Sequence, residues 1–368
     1  MLVDEHTLNA DICVCMEAVK PGLLRFPAFN FAGEICQVDI GILKKIHIDT
    51  HKEDLVLDDK LVASILPGRK NDSHKGSFGS VLICGGSVNY PGAPVFAAKA
   101  AYKTGTGLVK TAVPERIYEI CANQHLESTW LVLDDENGVI SESAAKLIQI
   151  ERSKVNCLAI GPGLGTEETT FRFFKEILLP GNGTEKKHGI GFVPEQVKEI
   201  TETEPVTPIV VDADGLRLLA RIDYWEKLTS QKMVLTPHPG EMSELTGLSI
   251  DEIQSNRMEI CREYAKKWNQ VVVLKGALTV IGSPEGRIAV CPIASSALSK
   301  AGSGDILTGL IAGLIAQGVG FFDAAIAGVW VHASAGVLAA ISRFGERCVG
   351  IFDILSSLPD IFSRIETK

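Results

Sequence analysis

From residue 76 onward, short apolar runs rich in β-branched residues alternate with longer segments of helical periodicity. Several of the runs lack the apolar–polar alternation of a strand exposed on one face, so we expect them to be covered on both faces. The six predicted strands are SVLICGG (80–86), LVKTAVP (108–114), CLAIGPG (157–163), PIVVDAD (208–214), KMVLTPH (232–238) and QVVVLKG (270–276). Helix candidates lie between them, for example at 91–105 and 249–269. This alternation predicts an α/β fold with a central, mostly parallel sheet and helices on both faces.

Three stretches depart from this alternation. Residues 1–45 contain two short apolar pieces separated by prolines and glycines, which are too few core positions to fold alone. We expect them to be the end of another domain, or an arm. Residues 46–75 are polar and predict a linker that leads into a short helix. Residues 180–206, rich in Gly, Lys, Glu and Thr, predict a surface insertion.

Charge and cysteine content limit which partners and which cellular location the sequence predicts. The 368 residues include 36 Lys and Arg against 45 Asp and Glu, a net charge of −9, without a basic run. This argues against nucleic acid or an anionic membrane as the main partner, although a local cluster could still bind phosphate. None of the nine cysteines forms a CxxC pair, and the first residues show no signal-peptide pattern. We therefore expect reduced, mostly buried thiols and a cytoplasmic location.

An uncharged run at 306–322, ILTGLIAGLIAQGVGFF, has the composition of a membrane segment. It is shorter than the roughly 20 residues that a spanning helix needs, and glycines and Gln317 interrupt it. The sequence therefore favours a helix buried in the core of a globular domain.

The carboxyl ends of the predicted strands carry unusual residues. In a parallel sheet, ligands bind beyond these ends. Five ends are rich in Gly, Pro, Asp, His or Lys, namely GGSVNYPGAP, GPGLGTEE, DADGL, TPHPGE and KGALTV. Five such ends in one sheet predict a single cleft.

The segment AGSGD, with Gly302, Ser303, Gly304 and Asp305, enters the apolar run at its amino-terminal end. Small residues at a helix start leave backbone N–H groups free, and these groups together with the helix dipole favour an anion such as a phosphate. A carboxylate at this point would repel a phosphate unless it accepts a proton from a hydroxyl that attacks the phosphorus. A simple helix cap explains Asp305 equally well when the motif is taken alone.

Other polar residues at the strand ends allow two interpretations each. Lys275 could neutralise a phosphate, but in isolation a surface position is the commoner case. His238 lies between two prolines, which suits substrate contact or a place in the core. Glu241 could bind Mg²⁺ through water, although capping of the following helix is the safer prediction. Asp212 and Asp214 are predicted to share one face of a strand, where they could hold a metal.

Two common nucleotide motifs are missing from the sequence. It contains no Walker-type G-x-x-x-x-G-K-[ST] and no strand-linked G-x-G-x-x-G. Hydride transfer on a Rossmann domain is therefore not supported.

Six blocks of the chain, taken together, resemble one enzyme family. These blocks are KGSFGSVLICGGSVNYPGAPVFAAKAAYKTGTGLV, AIGPGLG, VVDADGL, LTPHPGEMSELTG, VLKGALTVI and AGSGDILTGLIAGLIAQG. Residues 46–368 resemble the ADP/ATP-dependent NAD(P)H-hydrate dehydratases of the ribokinase-like superfamily. Residues 1–45, with KPGLLRFPAFNFAGEICQVDIGI, resemble the closing strand and tail of the NAD(P)H-hydrate epimerase domain that precedes the dehydratase in bifunctional members. Most of that domain is missing, so epimerase activity is not assigned.

The resemblance implies a lyase (hydro-lyase) that repairs the hydrated cofactors NADHX and NADPHX, with ADP or ATP as co-substrate and Mg²⁺ to screen the phosphates. Asp305 would take a proton from the ring hydroxyl as this attacks the terminal phosphate, and elimination of phosphate would restore NADH or NADPH. Ala93, Gly163, His238 and Asp305 would contact the hydrate. The residues implied to contact the nucleotide are Lys275, Gly276, Ala277, Leu278, Thr279, Gly302, Ser303 and Gly304. No metal-binding residue is assigned, and relatives suggest a homo-oligomer, a tetramer or larger.

One position departs from the family pattern and two other functions compete. Family members usually carry an acid where this chain has Val337, which leaves any role of that position in doubt.

A small-molecule kinase of the same superfamily, acting on a thiazole, pyrimidine or sugar alcohol, would use the same loop around Asp305. A nucleotide-binding protein without catalysis is disfavoured by the intact Asp305. The sequence does not distinguish ADP from ATP, and the acidic, signal-free chain leads us to expect ADP.

Overall fold

The computed structural model describes residues 3–4, 6–42, 54–179, 207–343 and 345–367. The surface insertion expected at 180–206, residues 46–53 of the expected linker and residues 43–45 of the amino-terminal segment lie outside these ranges.

The amino-terminal segment forms a small parallel sheet of two strands. Its elements are β1 (Ile12–Met16), α1 (Phe29–Ala32) and β2 (Glu34–Val38). It builds no core of its own, since Leu24 is buried in the hydrophobic core of the remaining chain. Arg25 reinforces this contact through an ion pair with Glu259, with Nη2 2.6 Å from Oε1. The segment is therefore an appendage whose outer side remains uncovered.

The remaining strands are short, and helices cover both faces of the sheet that most of them form. In chain order they are β3 (Leu55–Val56), β4 (Ser80–Cys84), β5 (Leu108–Pro114), β6 (Thr129–Leu133), β7 (Asp135–Glu136), β8 (Val139–Ile140), β9 (Cys157–Ile160), β10 (Ile209–Val211), β11 (Met233–Leu235), β12 (Val271–Leu274), β13 (Val280–Gly282) and β14 (Ile288–Val290). The helices are α2 (Asp59–Ile65), α3 (Gly92–Lys103), α4 (Glu115–Gln124), α5 (Ala145–Arg152), α6 (Glu168–Leu178), α7 (Asp214–Ala220), α8 (Trp225–Leu228), α9 (Pro239–Thr246), α10 (Ile250–Ser255), α11 (Arg257–Trp268), α12 (Ser303–Ala316), α13 (Phe321–Ser342) and α14 (Ile351–Glu366).

Ten strands form one sheet in the order β3-β14-β13-β12-β11-β10-β9-β4-β5-β6. Only β13 runs antiparallel to its neighbours, so the predicted mostly parallel sheet is confirmed. All six predicted strands are present, although several end earlier than predicted because their last residues turn into loops. The short strands β3, β6, β13 and β14 were missed by the sequence analysis, and β3 lies inside the stretch that we expected to be a linker.

Side chains alternate between two hydrophobic layers, one on each face of the sheet. Val81 and Ile83 of β4 point into the layer beneath α3, α12, α13 and α14, whereas Leu82 and Cys84 point into the layer beneath α6, α7 and α11. Both layers are buried, which explains the continuous apolar runs in the sequence. The helices on both faces are therefore confirmed.

The apolar run at 306–322 is divided between two helices, so the single helix favoured by the sequence is wrong. Helix α12 ends at Ala316, and Gly318 has φ +91°, a left-handed conformation that suits glycine and turns the chain before α13 begins at Phe321. Helix α13 is the one helix in the described ranges that is long and apolar enough to cross a membrane. Most of its apolar window is buried within the structure, against α12 and α14.

The helix predicted at 249–269 is also divided, into α10 and α11. The break lies at Asn256, whose φ of −131° and ψ of 39° are not helical. Immediately after the break, Arg257 donates hydrogen bonds to the carbonyl groups of Leu274 (2.8 Å) and Lys275 (3.2 Å). The break therefore places a guanidinium group against the carboxyl end of β12.

Candidate active site

The loops that follow the parallel strands converge with the start of α12 on one cleft. Its volume is about 800 Å³, within the usual range for a small-molecule site. The loop after β10 contributes Asp212, the loop after β11 contributes His238, and the loop after β12 contributes Lys275. The cleft thus lies at the carboxyl edge of the sheet, where the sequence analysis expected it.

The first turn of α12 offers free amide groups to the cleft. Gly302 precedes the helix with φ +95°, a conformation that glycine adopts without strain. In the described part of the chain, the N–H groups of Gly304 and Asp305 have no backbone or side-chain acceptor. An added Cβ at Gly304 would lie 3.6 Å from Nζ of Lys275 and 3.7 Å from Oδ2 of Asp212, so the space beside this glycine faces the ion pair of these two residues. The free amides of Gly304 and Asp305, the helix dipole and the ammonium of Lys275 together make this part of the cleft suitable for a phosphate. We call it the phosphate-binding corner.

Asp305 lies on this first turn but does not cap the helix. Its side chain makes no capping hydrogen bond, and no described residue donates to its carboxylate. Burial, followed by the neighbouring charges of Asp212 and Asp214, raises the pKa of Asp305 well above its ordinary value, and Lys275 opposes this rise only in part. The group is therefore a partly buried carboxylate with a free lone pair and enhanced basicity.

Lys275 is held in the floor of the cleft by two carboxylates. Its Nζ lies 2.5 Å from Oδ1 of Asp212 and 3.6 Å from Oε2 of Glu241, and its side chain is mostly buried. Burial alone would lower the pKa of Lys275, but the two acids outweigh burial and raise it. The commoner surface position suggested for an isolated lysine is therefore wrong for Lys275, which is a fixed positive charge.

Asp212 and Asp214 do not share a strand face, so the predicted carboxylate pair is wrong. Strand β10 ends at Val211, and Asp214 already belongs to α7. Asp212 receives hydrogen bonds from Thr236 (2.7 Å) and Thr308 (2.6 Å) besides its ion pair with Lys275. Although burial opposes it, these partners lower the pKa of Asp212. With its oxygens occupied in this way, Asp212 is poorly placed to bind a metal.

No group of three or more metal-binding side chains occurs within the ranges that the structure covers. Mg²⁺ commonly binds through substrate phosphates and water with only one or two protein carboxylates. The donor set here fits an ion that arrives with a nucleotide better than an ion held in a dedicated cage.

His238 is fixed at the start of α9. Its Nδ1 accepts hydrogen bonds from the amides of Gly240 (2.9 Å) and Glu241 (3.2 Å), and its own amide donates to Oε2 of Glu241 (2.7 Å). The predicted cap by Glu241 is confirmed as one half of this reciprocal box. Nearly half of the His238 side chain is exposed, which excludes the core position. Burial of the remainder and the nearby Lys275 lower the pKa of His238, so the ring is neutral near pH 7.

The strand end 275–279 meets the cleft with four of its five residues. Lys275, Gly276, Ala277 and Thr279 line the cleft, together with Gly302, Ser303 and Gly304. Leu278 does not line it. With φ +57°, this residue turns its buried side chain away from the cleft and into the core.

A smaller pocket of about 230 Å³ adjoins the cleft. Ala93 and Gly163 line it, and Asp305, Glu241 and Ala213 line both cavities. His238 lines the large cleft only. The structure therefore brings Ala93, Gly163 and Asp305 together around one pocket, with Asp305 on the boundary between the two cavities.

Sequence reasoning missed two contacts that hold the amino-terminal half of α12 in place. Ser303 Oγ lies 2.9 Å from Nε2 of His332, which is buried in α13. Burial, and then Lys275, lower the pKa of His332 to about 4, so this ring is neutral. Thr308, which holds Asp212, lies one turn beyond Asp305. A single threonine within the apolar run was the signal that could have identified it.

The sequence and the fold are similar to those of known proteins. A sequence profile of the NAD(P)H-hydrate dehydratase family matches residues 81–345. The chain is 36% identical over 362 residues to the bifunctional NAD(P)H-hydrate repair enzyme Nnr of Moorella thermoacetica, an alignment that covers 98% of this chain and 64% of that protein. It therefore spans about two thirds, or slightly less, of the length of such relatives.

Two further similarities cover most of the relatives' own lengths. The ADP-dependent (S)-NAD(P)H-hydrate dehydratase of Neisseria meningitidis is 32% identical over 273 residues, which are 74% of this chain and 80% of that protein. The crystal structure of the ADP/ATP-dependent NAD(P)H-hydrate dehydratase of Bacillus subtilis, co-crystallised with ATP and Mg²⁺, superposes with a TM-score of 0.67. That superposition has 26% sequence identity and covers 85% of this chain and 99% of that one.

Proposed function

The chain belongs to the NAD(P)H-hydrate dehydratase family, and on that premise we propose that it dehydrates (6S)-NADHX and (6S)-NADPHX to NADH and NADPH at the expense of a nucleotide. ADP would yield AMP and phosphate, and ATP would yield ADP and phosphate. The observation that carries the proposal is the position of Asp305 at the boundary between a phosphate-binding corner and a small pocket. Asp305 is a carboxylate of raised pKa to which no described residue donates a hydrogen bond.

The nucleotide would occupy the large cleft. Its terminal phosphate would accept hydrogen bonds from the free amides at the start of α12, and the charge of Lys275 would stabilise it. The remaining contacts would come from the strand end 275–279 and from 302–304. The backbone of Leu278 lies in this strand end, but its side chain points away from the cleft. We expect ADP to be the preferred nucleotide, in line with the name of the N. meningitidis relative.

The hydrated nicotinamide ring would enter the small pocket, against Ala93 and Gly163. An added Cβ at Gly163 would lie 2.7 Å from Cβ of Tyr90, so any larger residue would fill the pocket. His238 would contact the part of the substrate that extends into the large cleft. Asp305 would take the proton of the C6 hydroxyl as the hydroxyl oxygen attacks the terminal phosphorus. The O–P bond to the ring then forms while the bond to the leaving nucleotide breaks.

Phosphate is a better leaving group than hydroxide, and the lone pair of the ring nitrogen assists its expulsion. Mg²⁺ would enter with the nucleotide and neutralise phosphate charge.

The test is incubation of the protein with NADHX, Mg²⁺ and either ADP or ATP, with recovery of the near-ultraviolet absorbance of NADH as the signal. We expect recovery with both nucleotides, faster with ADP, and phosphate release equal to NADH formed. A stable phosphorylated product without NADH would instead indicate a kinase. In Asp305→Asn we expect turnover to fall by about 10²- to 10⁴-fold while nucleotide binding persists.

Three organisational proposals accompany this function. Residues 1–45 would be the tail of an epimerase-like domain and residues 46–368 the ribokinase-like dehydratase domain, which the uncovered two-stranded sheet at the amino-terminal end supports. A cytoplasmic location is supported by nine free cysteines, most of them buried.

A homo-oligomer of four or more subunits is supported by exposed apolar side chains such as Ile341 and Phe352. Sedimentation analysis at two concentrations would test the last proposal, and a monomer at both would contradict it.

A further inference from the structure

The proposed dehydration must remove two protons from the substrate, and Asp305 accounts for only one. The first comes from the C6 hydroxyl during phosphoryl transfer. When phosphate leaves, the C6–O bond breaks and the nitrogen lone pair forms an N1=C6 iminium. The C5–H bond must then break, its electrons forming the C5=C6 double bond while the iminium electrons return to nitrogen. This inference rests on the proposed function and concerns the acceptor of the C5 proton.

The small pocket limits the candidates for this acceptor. Asp305 already holds the hydroxyl proton when C5 must be deprotonated. The other described carboxylates that line the pocket are Asp214 and Glu241. Arg217, also in its wall, is a cation and cannot accept a proton.

His238 is excluded by the way that it is held. Its Nδ1 already accepts two backbone hydrogen bonds, so the proton of the neutral ring must be on Nε2. This nitrogen lies 3.3 Å from Oε1 of Glu241. His238 is therefore a hydrogen-bond donor to Glu241, which it orients, and has no free lone pair for C5.

We propose that Glu241 is the second proton acceptor of the reaction and removes the C5 proton after phosphate has left. Its carboxylate lines both cavities, so it reaches the pocket that holds the ring and also the cleft through which a proton can return to water. His238 contacts Oε1, while the His238 amide and Lys275 contact Oε2, so the carboxylate is fixed in one orientation.

The surroundings of the two carboxylates also favour Glu241. Burial, together with the charge of Asp212, raises the pKa of Glu241 to about 7 although Lys275 opposes the rise. A general base is most effective when its pKa lies near the working pH. Asp214 is less buried, and its Oδ2 accepts a hydrogen bond from the amide of Gly165 at 2.9 Å. Glu241, which is more buried and lines both cavities, is thus the better placed of the two.

The test compares Glu241→Gln with Glu252→Gln. Glutamine preserves the capping box but cannot accept the proton. Glu252 closes an equivalent box with Ser249 at the start of α10, outside both cavities, so its substitution is a matched control. Substrate hydrated in acidic D₂O carries deuterium at C5, because C5 is protonated before water adds to the ring. The measured quantities are nucleotide turnover, NADH recovery and the deuterium isotope effect on recovery.

In Glu241→Gln we expect one nucleotide to be cleaved per site at a rate close to wild type, while NADH recovery slows by about 10²-fold or more and its isotope effect grows. Asp214→Asn should leave the isotope effect unchanged. Formate should partly restore recovery in Glu241→Ala, which keeps the proposal testable if the glutamine variant is poorly folded.

Two results would overturn the assignment of Glu241. One is a Glu241→Gln variant that matches the Glu252→Gln control, in which case the leaving phosphate takes the proton. The other is an equal loss of nucleotide cleavage and NADH recovery, which would place Glu241 in the first step or in the fold alone. A wild-type protein that cleaves nucleotide without restoring NADH would instead overturn the proposed function, and this inference with it.

Discussion

At the scale of single residues, the site depends on where ionisable groups lie more than on which groups they are. Asp212 and Asp305 are chemically identical, yet their pKa values shift in opposite directions. Asp212 has an ammonium and two hydroxyl donors, whereas Asp305 has no donor among the residues that the structure describes and faces other carboxylates. One aspartate is thereby a permanent anion that fixes Lys275, and the other is a base.

We predict that kcat/KM rises with pH as Asp305 loses its proton. Because the pKa of Asp305 is raised, its basic form is lost at a higher pH than for an ordinary aspartate, and activity should fall as the pH drops through that raised value. A pH–rate profile measured with saturating nucleotide checks this. A profile that stays flat down to the ordinary pKa of an aspartate would contradict the base role.

We predict that Lys275→Met destabilises the protein by about 3 kcal/mol, since it leaves Asp212 buried without its counter-ion. Asp212→Asn/Lys275→Met should recover part of that loss. The folded-state pKa of Asp212 is lowered, so its stabilising contribution is complete above its unfolded pKa and disappears as pH falls through the folded value. Urea unfolding at neutral and acidic pH should therefore show a smaller difference between wild type and Lys275→Met in acid.

At the scale of elements, α12 connects the core to the chemistry. Its first turn forms the proposed phosphate-binding corner, and Thr308 one turn later holds Asp212. Further along, Gly309 and Gly313 allow α12 to approach α3 closely, because a Cβ at either position would overlap atoms of Ala97 or Thr104. Gly309 and Gly313 thus serve helix packing, which in turn places Asp305.

We predict that Gly309→Ala costs about 1–3 kcal/mol through overpacking against the Ala97 carbonyl. Gly68→Ala is the matched control, because an added Cβ there meets no atom within 4 Å and its φ is not in the left-handed region. Thermal and urea unfolding would measure both. A Gly309→Ala variant as stable as the control would show that α12 can move away from α3 without loss.

At the scale of the whole molecule, the amino-terminal segment stands apart from a well-covered sheet. Both faces of the ten-stranded sheet are buried, whereas Ile12, Val14 and Met16 on the outer side of β1 are 56%, 62% and 64% exposed. Parallel strands are normally covered on both faces, and two strands alone are marginal. Leu24 anchors this incomplete sheet to the core.

We predict that a triple Ile12→Ser, Val14→Ser, Met16→Ser substitution reduces binding of a hydrophobic dye and self-association, because it removes an apolar patch. The dehydratase rate should not change, since none of the three residues lines either cavity. A lower rate would indicate that the segment influences the site.

The sequence by itself determined the layered architecture and the edge of the sheet where the site lies. Those features follow from local patterns: continuous apolar strands, alternating helices, and small or polar residues where the strands end. The capping role of Glu241 was also local, because its partner His238 is three residues away. These interactions need no knowledge of distant segments.

Only the tertiary structure decided the state of the charges and the shape of the cavities. Lys275 and Asp212 are 63 residues apart, and Ser303 and His332 are 29 apart, so their contacts depend on how strands and helices pack. The direction in which the side chain of Leu278 points and the basicity of Asp305 could not be predicted from the sequence either. Burial and long-range partners set each of them, and neither is encoded by neighbouring residues alone.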